Sequence, residues 1–283
     1  MQKTILSFCL CLILSSGFAP LAGAVGLNDV IQALQTPFQT ETEPAQRIFD
    51  YSAEFFQESR IASLDRLQRA RGTVQVAFNY QNIDRVPLVR FRWEYDQPTN
   101  QEIVSDGETM WVYLPENNQV IQSNIEMVNR ARENDPMTFL TGLGNLSRDF
   151  SISWGEPNRD IDGNYVLDLR PYKTTALLNR MVIVVDSLAV DHFLQGEQGA
   201  VQTAAPQVPS VPFPPGSFMN ASTSAGGAWF PILSTTVYDP NGNSTIIEFS
   251  DLRVNEGVSS MSFDFIMPAG VQVVRPTGQE MGF

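Results

Sequence analysis

Between Pro87 and Pro115 the chain reads PLVRFRWEYDQPTNQEIVSDGETMWVYLP, and this stretch constrains the fold more than any other. Phe91, Trp93 and Tyr95 alternate with Arg90, Arg92, Glu94 and Asp96, which is the period of a strand with one wet face. Ser105-Asp106-Gly107-Glu108 reads as a turn, with Gly107 free to take a positive φ. Met110, Trp111, Val112, Tyr113 and Leu114 follow, apolar on both faces. A strand pair with one solvated face has no use for so many aromatic side chains. Either another part of the chain covers the second face, or something apolar visits it.

Strand patterns dominate the remainder. Segments 51–57, 70–80, 119–125, 150–154, 165–169, 181–185, 231–238, 244–251 and 260–265 join the aromatic pair at the spacing of an all-β sheet. Asn241-Gly242 is the strongest hairpin signal. Helix signals are few. Leu27, Val30, Ile31 and Leu34 fall at i, i+3, i+4 and i+7, a short amphipathic helix that Thr36-Pro37 ends. Residues 44–49 read as another helical turn. Asp135 as N-cap and Pro136 at the first helical position open a helix carrying Met137, Phe139, Leu140 and Leu143, which Gly144-Asn145 can end. Between 187 and 228 the composition turns to Pro, Ser, Ala and Gly with almost no charge, and reads as an irregular insertion in a single domain. The plainer expectation for it is a disordered surface segment; the sharper one is a flap over the fold.

Residues 1–24 read as a secretory signal peptide, to be left out of the fold. Lys3 supplies the charge, residues 5–14 the apolar core and Ala22-Gly23-Ala24 the cleavage site. Cys9 and Cys11 both fall inside it, so the mature chain, 25–283, is expected to hold no disulfide and no thiolate metal site. Its location is then expected to be the periplasm, without an anchor.

The formal net charge is −13 at pH 7, and loss of Lys3 makes it more negative. That balance excludes nucleic acid, whose phosphates call for a basic face. It also argues against resting on anionic lipid headgroups. No catalytic constellation is legible. The sole histidine, His192, reads as a loop residue without triad or metal partners. Asn158, Asp160, Asp162 and Gly163 look faintly like a calcium loop, but the twelfth position from Asn158 is Leu169, so the stretch reads as an ordinary turn. Neither a metal nor a cofactor is expected, and the chain reads as a binder of something apolar rather than as an enzyme.

The same residues resemble the outer-membrane lipoprotein carrier protein family, LolA. The resemblance is carried by Phe91-Arg92-Trp93-Glu94-Tyr95, Gln97-Pro98, Ser105-Asp106-Gly107 and Trp111-x-Tyr113-x-Pro115. Upstream, Tyr51-x-Ala53-x-Phe55-x-Gln57 and Gly72-x-Val74 are similar to the family's first two strands. Downstream, Pro136-Met137-Thr138-Phe139-Leu140 resembles its lid helix. Tyr165-Val166-Leu167-x-Leu169-x-Pro171, Asp239-x-x-Gly242-Asn243 and Phe263-x-Phe265-x-x-Pro268-x-Gly270-Val271-x-Val273 resemble its later strands. The chain departs from the family in its long insertion and in one extra residue between Pro87 and the Phe-Arg-Trp core. Arg85 is the nearest candidate for the family's functional arginine.

The resemblance implies a mainly β fold: an incomplete, strongly curved antiparallel β-barrel with short helices covering its open mouth. It implies a periplasmic chaperone, expected to be a monomer, that takes lipoprotein acyl chains from an inner-membrane lipoprotein-releasing ABC exporter to an outer-membrane receptor. The acyl cavity and lid would be formed by Phe55, Val74, Val76, Phe78, Phe91, Trp93, Tyr95, Trp111, Tyr113, Met137, Phe139, Leu140 and Leu143, with Arg85 related to transfer. The competing expectation is a glycolipid-binding or envelope-stress sensor module of the same fold. If the segment from Asp135 is a lid, Phe139→Glu should abolish binding of a fluorescent fatty acid. The far-ultraviolet circular dichroism of the sheet should stay unchanged; loss of that signal would make the segment core.

Overall fold

The computed structural model describes residues 24–81, 88–125, 143–173, 178–199 and 229–276. Its strands are, in chain order, β1 (Asp50–Ile61), β2 (Arg66–Asn79), β3 (Leu88–Gln97), β4 (Gln101–Ser105), β5 (Thr109–Leu114), β6 (Gln119–Asn124), β7 (Phe150–Arg159), β8 (Tyr165–Pro171), β9 (Arg180–Val185), β10 (Ile232–Tyr238), β11 (Ser244–Val254) and β12 (Gln272–Val274). They form one 12-stranded sheet in the order β12-β6-β5-β4-β3-β2-β1-β11-β10-β9-β8-β7. Neighbours pair antiparallel, except that β12 lies parallel to β6. The outermost strands, β7 and β12, do not meet, so the barrel is incomplete. It is nonetheless strongly curved. One apolar cluster runs from Ile121 on β6 through Trp93 on β3 to Leu169 on β8. Strands about 4.8 Å apart can share a core over that many neighbours only if the sheet rolls onto one of its faces.

Short helices cover one end of the rolled face: α1 (Leu27–Gln35), α2 (Leu146–Asp149) and α3 (Ser187–Gly199). The apolar stripe of α1 is buried at Val30, Ile31, Ala33 and Leu34. Its first turn is closed by the Gly26 N–H donating to Asp29 Oδ2 at 2.8 Å. The buried Gln35 holds α2 reciprocally: its Nε2 donates to Ser147 Oγ at 2.9 Å, and the Ser147 N–H donates to Gln35 Oε1 at 3.0 Å. Helices α1 and α3 pack on each other.

Several expectations are corrected. The aromatic pair is three strands, because Gln101–Ser105 forms β4 with Ile103 and Val104 buried on opposite faces. Residues 260–265 are no strand; Ser260–Phe263 is a 3-10 turn, and the last strand is β12. Gly144-Asn145 lies in a 3-10 turn, Leu143–Asn145, that runs into α2; the helix expected before it lies outside the described residues. The insertion does not begin at 187, because Ser187–Gly199 is helical. Asp186 caps it, accepting from the Leu188 N–H at 2.9 Å, and Ala189 and Val190 are buried. His192 is therefore a helix residue, its ring 5.1 Å from that of Trp229, and burial lowers its pKa. The turn expectations hold. Gly107 has φ 98°, and Asp160 closes its hairpin loop on Asn164 as Asp239 does on Asn243, by backbone and side-chain bonds of 2.7–3.0 Å.

The second face of the aromatic strands is covered by the chain itself. Trp111 stands opposite Val104 on β4 and Gln122 on β6, and Val104 stands opposite Arg92. All of these lie on the outer face. Residues 259–274 form a strap across it. Phe265 stacks on Trp111 with ring centroids 5.7 Å apart at 17°, and lies 6.4 Å from Tyr113. Phe263 is buried beneath the Arg90 guanidinium, 5.2 Å from its ring. Arg92 ties the strap down by donating from Nε to the Ser262 carbonyl at 2.6 Å. A stacked aromatic pair is worth about 1 kcal/mol beyond the area it hides. Trp111→Ala and Phe265→Ala should each destabilise the fold in urea titrations. The double variant should fall short of their sum by about 1 kcal/mol; strict additivity would contradict the stack.

Candidate functional site

The inner face of the sheet is the candidate binding surface. Cross-strand register sets Ile121, Val112, Ile103, Trp93 and Val74 in one rung over β6, β5, β4, β3 and β2. The neighbouring rung carries Met110, Ser105, Phe91, Val76 and Tyr51. The central aromatic contact is made by Phe55 on β1, whose ring centroid lies 4.8 Å from Trp93 and 4.9 Å from Tyr95, edge-on to both. Its cross-strand partner is Gly72. A Cβ at Gly72 would sit 1.8 Å from the Glu94 carbonyl oxygen, so the close approach of β2 and β3 there requires glycine. Trp93 continues to Phe249 on β11, centroids 6.5 Å apart. Towards the helices a second aromatic group forms, with Phe38 at 5.4 Å from Phe78 and 6.0 Å from Phe230, and Tyr51 at 4.6 Å from Phe230.

The structure brings most of the expected residues together. Phe55, Val74, Val76, Phe78, Phe91, Trp93 and Leu143 are buried in one cluster, and Tyr95 is half-buried against it. Trp111 and Tyr113 are the correction. A period of two puts them on the opposite face from Met110 and Val112, where the strap covers them. Met137, Phe139, Leu140 and Arg85 lie outside the described residues. Phe38, Phe230, Ile247, Phe249 and Leu146 belong to the same cluster without having been singled out. The alternation of Ile247 and Phe249 along 244–254 was the readable signal for that pair; Phe230, at the end of a Pro-rich stretch, carried none.

The cluster is apolar with few exceptions. The Tyr51 hydroxyl is buried without a hydrogen-bond partner, and burial pushes its pKa up. Tyr80 is likewise raised by burial, but it donates to the Ile48 carbonyl at 2.7 Å, and Arg47 lies 4.6 Å over its ring. Among the described residues no group of three or more His, Cys, Asp or Glu could hold a metal ion, and no helix is long and apolar enough to cross a membrane.

Comparison with known proteins gives this face a context. The family described as Outer membrane lipoprotein carrier protein LolA matches residues 47–193, from the approach to β1 into α3. The outer-membrane lipoprotein carrier protein of Methylobacillus flagellatus is 25% identical over 185 residues, covering 65% of this chain and 67% of its own. That of Pseudomonas paraeruginosa is 24% identical over 225 residues, covering 79% and 80%. Among solved structures, a LolA superfamily protein from Nitrosomonas europaea aligns over 86% of this chain and 99% of its own, at 12% identity and a TM-score of 0.36. The chain belongs to the LolA family.

Proposed function

We propose that this protein is a periplasmic lipoprotein carrier, a chaperone that shelters acyl chains on the inner face of its sheet and does no chemistry on them. The observation that carries this reading is the single apolar cluster spanning the sheet from β6 to β8, in a chain whose family match begins at residue 47 and takes in all but the last three of these strands. An acyl chain gains ~0.8 kcal/mol for each CH2 it takes out of water, so such a face can compete with a bilayer for a lipid anchor. Phe55, Val74, Val76, Phe78, Phe91, Trp93 and Tyr95 would contact the chains. Leu143 and the helical cover, with Met137, Phe139 and Leu140, would have to part to admit them. A carrier needs only a small free-energy difference between the closed and loaded states, since cargo held too tightly is never handed on. In this reading the donor is an inner-membrane lipoprotein-releasing ABC exporter, the acceptor an outer-membrane receptor, and the carrier works as a monomer.

Trp93 reports on the face directly. Adding a fluorescent fatty acid should quench or shift tryptophan emission. Trp93→Phe should remove most of that change, whereas Trp111→Phe, beneath the strap, should preserve it. A change that survives Trp93→Phe would place the bound chain elsewhere. Native mass spectrometry of protein isolated from its own periplasm should find a triacylated polypeptide; a free glycolipid in its place would overturn the lipoprotein assignment.

A further inference from the structure

The apolar inner face does not run uniformly to the end remote from the helices. Past Phe55 and Phe249 it meets a band of hydroxyl and amide groups. The Tyr95 hydroxyl donates to Gln57 Oε1 at 3.0 Å, Gln57 Nε2 donates to Ser59 Oγ at 3.3 Å, and Ser59 Oγ lies 3.0 Å from Thr245 Oγ1. These side chains are half-buried. Thr235 stands in the same band. It pairs with Ile247 across β10 and β11, and Ile247 pairs with Gln57 across β11 and β1, so all three face inward on one rung. Thr235 is 1% exposed, and its hydroxyl has no hydrogen-bond partner.

Each hydroxyl of this band has one hydrogen to donate. The Ser59–Thr245 contact consumes one hydroxyl hydrogen of the pair and leaves the other without an acceptor in the chain of bonds. Thr235 adds a second unused donor. Buried hydroxyls are ordinarily satisfied, and an orphan costs the fold its desolvation. A valine would fill the same space on this strand without that cost. A band of hydroxyls with hydrogens still to donate, set against an apolar wall, can serve a ligand that brings acceptors joined to hydrocarbon.

We infer that Thr235, with Gln57, Ser59 and Thr245, forms a subsite for the ester carbonyls of an acylated glycerol group, whose chains then lie along Phe55, Phe249 and Trp93. The inference rests on the carrier reading above and adds to it the place where the polar linkage of the cargo is held. Ester carbonyls accept hydrogen bonds and donate none, and the ether analogue of the same lipid lacks those carbonyls. The subsite therefore sets the depth at which a chain sits, which apolar contact alone leaves free to slide.

The test uses the whole mature protein and two probes: a diacylglycerol with two palmitoyl esters, and its ether-linked counterpart of equal chain length. The wild type should bind the ester about fivefold more tightly, the difference one neutral hydrogen bond supplies. Thr235→Val should bring the two affinities together, lower only that for the ester, and raise the melting temperature of the empty protein. Gln57→Leu, which breaks the chain of bonds, should likewise lose the preference. Equal affinities in the wild type would overturn the subsite while leaving the carrier reading intact. So would a preference that survives Thr235→Val, even with the rise in melting temperature. Binding of neither lipid would remove the carrier reading, and the subsite with it.

Discussion

The structure depends on the burial of one face of a sheet too wide to be covered by anything but itself. Twelve strands in one layer present two large faces, and the helices among the described residues cover only one end of one of them. Rolling the sheet solves the problem for the inner face, where apolar side chains from most strands meet. The β1–β2–β3 step is a point of close backbone approach. There Gly72 lets the backbones close, and the Phe55 ring fills the room in front of it between Trp93 and Tyr95. The two longest-paired strands of the sheet, β1 and β2, thus form the spine on which both halves hang.

The outer face is handled differently. There the strap lays Phe265 on Trp111 and Tyr113 and buries Phe263 against β3, and Val104 and Val120 on the same face are buried. The arginines there face two ways: Arg90 lies over the Phe263 ring, and Arg92 holds strap carbonyls while pairing with Glu94 and Glu102. The strap also closes an edge. By adding β12 to β6 over Gln272–Val274 it occupies backbone groups that would otherwise invite another chain. At the other edge β7 breaks register between Trp154 and Arg159 and carries Pro157, which serves the same end.

How much of this could be read from sequence follows from range. Period-two alternation located nearly every strand, because each inward side chain is set by its neighbours two positions away. The same period, applied consistently to Met110–Leu114, separates Trp111 from Val112. The grouping of Trp111 with Trp93 failed because the covering of the outer face is a contact between residues more than a hundred positions apart, such as Trp111 and Phe265. Composition misled at 187–199, where a stretch judged by its Pro-rich sequel conceals an Asp186 cap and buried Ala189 and Val190. The Thr235 hydroxyl was beyond reach for a simpler reason. Threonine alternates like valine in a strand, and only the folded structure tells whether its oxygen has found a partner.

The reciprocal bonds between Gln35 and Ser147 bear on how the helical end can move. Each supplies one donor and one acceptor to the other, at 2.9 and 3.0 Å, and Gln35 is buried. Pulling them apart strands an amide in an apolar setting, at a cost of about 1–3 kcal/mol. Swinging both together costs none of that. Helices α1 and α2, over a hundred residues apart along the chain, are therefore held together as one unit, and because α2 runs directly into β7 that unit is tied to the outermost strand of the sheet.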